Sequence, residues 1–283
     1  MPTSIMPAPD RYAVIGHPIA HSRSPQIHAL FARQTHQHLV YDAIDVAPQE
    51  LAPRLREFFA GGGRGLNVTV PHKEAVIACC SSLSARVRTA GAANTIVREP
   101  TGELRADNTD GAGLVRDLTH NLRIAVAARR VLLLGAGGAA RGVLAPLLEL
   151  KPRELVIANR NVERAQTLAS AFAALGAVRA SGFAQLDGMH FDLIVNATAA
   201  SLQAEVPPLP PGVLGAGTVC YDLFYAGNAT RFTHWALQHG AAQAHMGLGM
   251  LVEQAAESFY LWRGVRPDTA PVLAALAAQQ PHQ

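Results

Sequence analysis

Apolar residues along this chain fall into two patterns, short unbroken runs and stripes that recur every three to four positions, and the two alternate. The first pattern predicts buried strands and the second predicts helices packed on them. Tyr12–Gly16 is the first run, closed by a glycine. A helix is predicted from Gln26 to Gln34, with Ile27, Leu30 and Phe31 on one face, Ser24 as N-cap and Pro25 at its first position. Val40–Val46 predicts a second strand. Glu50–Ala60 predicts a helix that turns Leu51, Leu55, Phe58 and Phe59 inward and stops at Gly61-Gly62-Gly63. Asn67–Val70 then alternates, placing Asn67 and Thr69 on one face and Val68 and Val70 on the other. Pro71 ends that run because it cannot donate to a sheet ladder, and His72 and Lys73 follow. This β-α-β-α-β order predicts a parallel, doubly wound sheet whose ligands lie at the carboxyl edge of the strands. The loop at 17–25 and the turn at 71–73 both follow strand ends and are expected to meet there. Ser22 and Ser24 flank Arg23 in that loop, an arrangement that serves either as turn and cap chemistry or as a grip on a polyol or anion.

The pattern continues with a helix at Ser84–Ala90 and a strand following Asn94 that ends near Arg98, joined by a turn at 100–102 to a second hairpin strand at Leu104–Ala106. Asp107-Asn108-Thr109-Asp110-Gly111 precedes a helix at 112–118. Asp110 opens that helix, where the dipole favours an ionised carboxylate, and it can pair with an ammonium such as Lys73. Residues 122–130 read as a linker. The all-apolar run Val131–Leu134 then enters Gly135-Ala136-Gly137-Gly138-Ala139-Ala140 and a helix through Leu150. In that strand–turn–helix context G-x-G-x-x-A is a dinucleotide signature: the glycines permit the tight turn and close approach to a pyrophosphate, and Ala140 permits close helix–strand packing. The next strand, Leu155–Ala158, ends at Asn159-Arg160, where a site preferring NAD places an acidic residue. Arg160, with Arg164 one helical turn on, instead suits the 2′-phosphate of NADP.

Further strands are predicted at Phe191–Val195, leading to Thr198, and at Val219–Leu223, leading to Phe224 and Tyr225. A helix at Thr230–His239, a short edge strand at 242–245 and a helix from Gly247 follow. That helix carries Leu248, Leu251, Val252, Ala255, Phe259 and Trp262 at helical spacing, with Gln254 either capped by backbone or aimed into a cleft. A last helix covers about Thr269–Gln279.

Composition narrows the function classes. With 283 residues, 49% hydrophobic and 16% charged, the chain can fill about two domain cores. A mean hydropathy of +0.13 without a long apolar run excludes a membrane span. The net charge of +3 is too small to predict a nucleic-acid or membrane partner. The Pro-rich start, Met1–Asp10, lacks the apolar core of a signal peptide. Three cysteines, Cys79 and Cys80 adjacent, form neither a disulfide framework nor a metal site, and His36 and His38 lack a second ligand pair, so no metal is expected and a reducing cytoplasm is.

Seven motifs in order, HSRSP at 21–25, NVTVPHK at 67–73, AANT at 92–95, DNTDG at 107–111, GAGGAAR at 135–141, ANR at 158–160 and GLGMLVEQA at 247–255, resemble the shikimate dehydrogenase family over essentially the whole chain. The resemblance implies a two-domain α/β protein: a mostly parallel α/β substrate domain at 1–112, a Rossmann-type dinucleotide domain at 113–254, and C-terminal helices at 255–283 returning to the first. It implies reversible NADP-dependent oxidation of shikimate to 3-dehydroshikimate in aromatic amino-acid biosynthesis, by a monomer or homodimer. Lys73 would be the acid–base group and Asp110 its partner. Ser22, Ser24, Asn67, Thr69, Asn94, Tyr225 and Gln254 would hold the substrate. Gly135, Ala136, Gly137, Gly138, Ala139 and Ala140 would take the pyrophosphate, with Asn159, Arg160 and Arg164 at the adenosine phosphate and Thr198, Leu223 and Gly247 near the nicotinamide. The chain departs from the family pattern at Ala199-Ala200-Ser201, at Met246 and at Asn161. The competing expectations are a quinate/shikimate enzyme with relaxed cofactor use and a catalytically silent nucleotide-binding relative.

Overall fold

The computed structural model describes residues 8–279, so most of the Pro-rich start and the last four residues of the C-terminal segment lie outside the described residues. The first half contains β1 (Asp10–Gly16), α1 (Ser24–Gln34), β2 (Leu39–Asp45), α2 (Leu51–Ala60), β3 (Gly63–Val68), β4 (Ser82–Leu83), α3 (Ala85–Ala90), β5 (Thr95–Arg98) and β6 (Leu104–Asp107). Its sheet has the order β2-β1-β3-β5-β6-β4. The strands β1, β2 and β3 run parallel, and the β5–β6 hairpin adds to β3 antiparallel, with Asn67 opposite Thr95. After α4 (Asp110–Arg116), the second half runs β7 (Arg130–Leu134), α5 (Gly138–Glu149), β8 (Glu154–Ala158), α6 (Val162–Phe172), β9 (Val178–Ser181), β10 (Phe191–Asn196), β11 (Leu214–Asp222), α7 (Arg231–Gln238) and β12 (Gln243–Met246). Its sheet is wholly parallel in the order β12-β11-β10-β7-β8-β9. Renumbered from β7, that is 6-5-4-1-2-3, the Rossmann order, with its switch point between β7 and β10. The chain closes with α8 (Leu248–Arg263) and α9 (Ala270–Ala277). Among the described residues no helix is long and apolar enough to cross a membrane.

Each sheet is covered on both faces. In the second half, α5 and α6 bury Val143, Leu147, Leu168 and Phe172 on one face, while Phe232 and Ala236 of α7 close the other. In the first half, Leu55, Phe58 and Phe59 of α2 pack on Ile15, Leu66 and Val68. The apolar stripe of α8, Val252, Ala255 and Phe259, meets Ile27 and Phe31 of α1, so the last long helix returns to the first half. Both α4 and α8 span the cleft, and the expected boundaries at residues 112 and 254 fall inside them.

Two local readings shift, and one strand lies where none was expected. The strand expected at 67–70 lies at Gly63–Val68, with Thr69 past its end. Gly63 and Gly65 join the strand by pairing with Arg11 and Tyr12 of β1, and neighbours occupy the space a side chain would need: a Cβ at Gly63 would stand 2.2 Å from the Phe58 ring, and one at Gly65 would stand 2.4 Å from the Trp262 indole. Ser24 is the first residue of α1 rather than its cap, which is Arg23 and bonds through no side chain. The Ser24 amide is taken instead by Ser22 Oγ at 3.3 Å. The strand β9 carries no apolar run, and its pairing with β8 defines it.

Candidate active site

The loop after β1 and the turn after β3 meet at the carboxyl edge, as their strand positions predict. The amide of Thr69 donates to Ile15 O at 2.9 Å and that of His17 to Val70 O at 2.9 Å. The Pro71 turn is held from two more sides. His72, fully buried, donates from Nε2 to Val46 O at 2.7 Å, since a carbonyl can only accept. The carbonyl of Lys73 accepts from the Ala93 amide at 2.7 Å. The sequence alone assigned His72 no role; it is the anchor of the turn that presents Lys73.

Lys73 Nζ donates to Asp110 Oδ2 at 2.5 Å. The pair is largely withdrawn from solvent, with the side chains 13% and 5% exposed, so each charge depends on the other. Asp110 is fixed in turn. Its Oδ1 accepts from Asn94 Nδ2 at 2.8 Å, and its amide donates to Asn108 Oδ1 at 3.1 Å, at the start of α4 where the helix dipole favours the anion.

Asn94 is a hub. Its Nδ2 also faces Thr109 Oγ1 at 2.9 Å and Gln254 Oε1 at 3.1 Å, while its Oδ1 accepts from the Thr109 amide at 2.8 Å and Thr95 Oγ1 at 2.9 Å. Gln254 answers the question its pattern left open: its Nε2 donates to Leu251 O at 2.9 Å while its Oε1 faces Asn94. Asn67 is tied as firmly. Tyr41 Oη donates to its Oδ1 at 2.7 Å, and its Nδ2 faces Ser258 Oγ at 3.0 Å and Thr95 Oγ1 at 3.2 Å. Burial pushes the Tyr41 phenol well above its ordinary range, so it stays a donor. Opposite, Tyr225 Oη accepts from the Arg23 amide at 3.2 Å, joining the Ser22–Ser24 loop to the second half, and burial raises that phenol as well.

The second half faces this wall with backbone. Gly135 takes φ +102°, a left-handed conformation that glycine adopts without strain, and its amide donates to Ala158 O at 2.8 Å. Ala140 is fully buried against the sheet. Gly137 precedes α5, and a Cβ placed there would meet nothing within 4 Å, so the turn opens onto free space at a helix N-terminus. That open cradle fits a dinucleotide pyrophosphate. Beside the switch point Asn196 and Asp222, paired in register at the ends of β10 and β11, hold the neighbouring loop. Thr198 Oγ1 donates to Asn196 Oδ1 at 2.7 Å, and Asn196 Nδ2 donates to Asp222 Oδ1 at 3.2 Å. Asp222 also accepts from Ser201 Oγ at 2.6 Å and Thr230 Oγ1 at 2.7 Å, and burial raises its carboxyl above the usual range. Ser201, one of the departures, thus supports the loop, and Asn161, another, caps α6 by accepting from the Arg164 amide at 3.1 Å.

One cavity of about 440 Å³ joins the two walls. It is lined by Ser22, Ser24, Asn67, Thr69, Lys73, Asn94, Asp110, Tyr225 and Gln254, by Gly135–Ala139 and Asn159, and by Thr198, Leu223 and Gly247. Ala140 lies beneath it. Arg160 and Arg164 stand outside its lining on the exposed surface, and Arg164 Nη2 is 3.9 Å from Glu74. Sequence reasoning missed Tyr41, Thr95, Thr109, Asn196, Asp222 and Ser258. The polar ends of the apolar runs at 196 and 222 were a usable signal, whereas Ser258 looks like any small residue on an apolar helix face.

A glycine turn at the switch point of a Rossmann-ordered sheet, facing a buried lysine–aspartate pair across one cavity, is the layout of a nucleotide-dependent dehydrogenase. Comparison with known proteins specifies the kind. Family profiles described as shikimate dehydrogenase substrate binding domain, Shikimate / quinate 5-dehydrogenase and Shikimate 5'-dehydrogenase C-terminal domain match residues 14–96, 117–204 and 247–277. The shikimate dehydrogenase (NADP(+)) of Methylococcus capsulatus is 54% identical over 275 residues, covering 97% of this chain and 99% of that protein. That of Aeromonas salmonicida is 57% identical over 264 residues, covering 93% and 96%. The solved structure of shikimate 5-dehydrogenase from Thermus thermophilus in complex with NADP(H) and shikimate superposes with a TM-score of 0.84 at 34% identity, covering 95% of this chain and 99% of that one. The chain belongs to the shikimate dehydrogenase family.

Proposed function

We propose that this protein catalyses the reversible NADP-dependent oxidation of shikimate to 3-dehydroshikimate. The observation that carries the reading is the Lys73–Asp110 pair, 2.5 Å apart, in the same cavity as the dinucleotide turn. Lys73 exchanges a proton with the reacting hydroxyl, and Asp110 orients the amine and balances its charge. Ser22, Ser24, Asn67, Thr69, Asn94, Tyr225 and Gln254 hold the remaining hydroxyls and the carboxylate, with Asn67 and Asn94 pre-oriented by their own partners. Gly135 to Ala140 receive the pyrophosphate through backbone amides and the α5 dipole, and Asn159, Arg160 and Arg164 take the adenosine phosphate. Thr198, Leu223 and Gly247 border the nicotinamide. NADP, when bound, supplies the acceptor for the hydride that leaves the carbinol carbon.

In this reading residues 1–112 with 255–283 form the substrate domain and 113–254 the nucleotide domain. We read it as a cytoplasmic monomer or homodimer; the unpaired cysteines Cys79, Cys80 and Cys220 suit a reducing compartment. The test is the absorbance of reduced coenzyme with shikimate or quinate and NADP or NAD. Shikimate with NADP is expected to be the fastest combination. Equal rates with quinate, or with NAD, would replace the reading by a relaxed quinate/shikimate enzyme. No absorbance change with any pair would replace it by a silent nucleotide-binding relative.

A further inference from the structure

We propose that Gly138 and Gly142, one turn apart on α5, are positioning residues for the Lys73–Asp110 pair, so that the coenzyme helix also sets the geometry of proton transfer. The proposal rests on the acid–base reading above. A Cβ at Gly138 would stand 2.9 Å from Lys73 Cβ, inside the 3.0 Å that real Cβ atoms essentially never breach. Lys73 cannot retreat, because its carbonyl is held by the Ala93 amide at 2.7 Å and the preceding His72 by Val46 O at 2.7 Å. A Cβ at Gly142 would stand 3.1 Å from Asp110 Oδ2, the oxygen that accepts from Lys73, and 3.0 Å from both polar atoms of the Asn108 amide.

The partner helix cannot give way either. A Cβ at Gly111 in α4 would lie 2.3 Å from Pro146 Cγ and 2.7 Å from Gly142 O, so α4 and α5 are in contact along successive turns. Nucleotide binding does not account for Gly142, which lies outside the cavity lining, and asks of Gly138 only its backbone amide. Gly135 meets the turn's need for a left-handed residue and Gly137 lines the open cradle, whereas Gly138 and Gly142 have no positive φ. Alanine is the better helix former at an interior position, so Gly142 forgoes propensity for close approach. The acid–base pair lies against the helix at both positions, closest at Gly138.

The experiment uses the full chain with Gly138→Ala and, separately, Gly142→Ala. Lys73 and Lys151 are the chain's two lysines, so amine acylation read by mass spectrometry gives their reactivity ratio without coenzyme. Acylation needs an amine released from its partner. The expected result for both variants is a rise of about threefold or more in Lys73 labelling relative to Lys151 with kcat lowered about tenfold, and for Gly142→Ala, which lies outside the cavity lining, an NADPH dissociation constant within about threefold of wild type. A labelling ratio equal to wild type, or coenzyme affinity lost in step with kcat in Gly142→Ala, overturns the proposal. If Gly138→Ala does not fold, Gly142→Ala decides alone. Lys73→Ala separates the two readings. An active Lys73→Ala variant removes the acid–base assignment itself, while an inactive one beside unchanged glycine variants removes only the positioning role.

Discussion

The two walls of the cavity are built by opposite means. On the substrate side, side chains do the holding. Asn67, Asn94, Thr95, Thr109, Gln254 and Ser258 are buried and cross-bonded, drawn from β3, β5, the start of α4 and α8. On the nucleotide side the wall is mostly backbone, a glycine turn and a helix N-terminus, with Arg160 and Arg164 exposed at its margin. The difference follows from what each wall would recognise. A polyol offers directional hydroxyls, so the groups that meet it must be fixed in advance. A phosphate offers diffuse negative charge, which amides and a helix dipole satisfy without precise side chains. The substrate wall is therefore sensitive to single atoms and the nucleotide wall to charge and to added volume.

The predictions probe that contrast. Setting Lys73 aside for the central test, the largest effect belongs to Asp110. Asp110→Ala strands a mostly buried ammonium and is expected to destabilise the fold by about 3–5 kcal/mol and to lower kcat by about 10². Urea unfolding and steady-state rates check both; a loss of stability without loss of turnover would separate the aspartate from the chemistry. Next, Arg160→Ala with Arg164→Ala is expected to raise KM for NADP about tenfold or more, by removing charge-assisted bonds to the 2′-phosphate, and to leave KM for NAD nearly unchanged. Parallel loss for both coenzymes would place these arginines in the fold instead.

A smaller effect is expected at the substrate wall. Tyr41→Phe removes one buried donor and leaves Asn67 Oδ1 unpaired, so KM for shikimate should rise about fivefold to tenfold while KM for NADP stays level. An equal change in both would deny the wall its independence. The last effect is on stability alone and lies beneath it. His28 is fully buried and stacks on Tyr41 with centroids 4.1 Å apart, and burial, the main cause, pushes its imidazole from 6.5 down to about 3. The unfolded chain binds a proton near pH 6.5 that the folded one refuses until about pH 3, so stability is lost as pH falls through that window. His28→Phe should remove about 1.4 kcal/mol per pH unit of that decline, or roughly 2 kcal/mol between pH 6.5 and pH 5. Urea midpoints at the two values measure it, and parallel declines in both proteins would contradict it.

Much of this arrangement was legible in the residues, and unevenly so. The Gly135–Ala140 turn between an apolar run and a helix is a local signal, and its structure follows the expectation closely. The convergence of the 17–25 loop with the Pro71 turn follows from parallel topology and is observed. Contacts between distant segments were not legible. Nothing near Gly63 or Gly65 says that Phe58 and Trp262 claim their side-chain space or that both glycines pair with β1, which is what starts β3 earlier than the alternation at 67–70 indicates. Ser258 looks like any small residue in the α8 stripe, and its bond to Asn67 Nδ2 at 3.0 Å exists only once α8 returns to the first half. The strand β9, with Arg179 and Ser181 in its four residues, lacks periodicity and exists by pairing with β8.

The central claim is that proton transfer belongs to the substrate wall and coenzyme binding to the other. The most direct measurement is Lys73→Ala, assayed in parallel for NADPH binding by fluorescence titration and for shikimate oxidation at saturating NADP. The account predicts a dissociation constant within about twofold of wild type and turnover lowered by a factor of order 10² or more. Turnover within about threefold of wild type, in a folded variant that still binds NADPH, would contradict it.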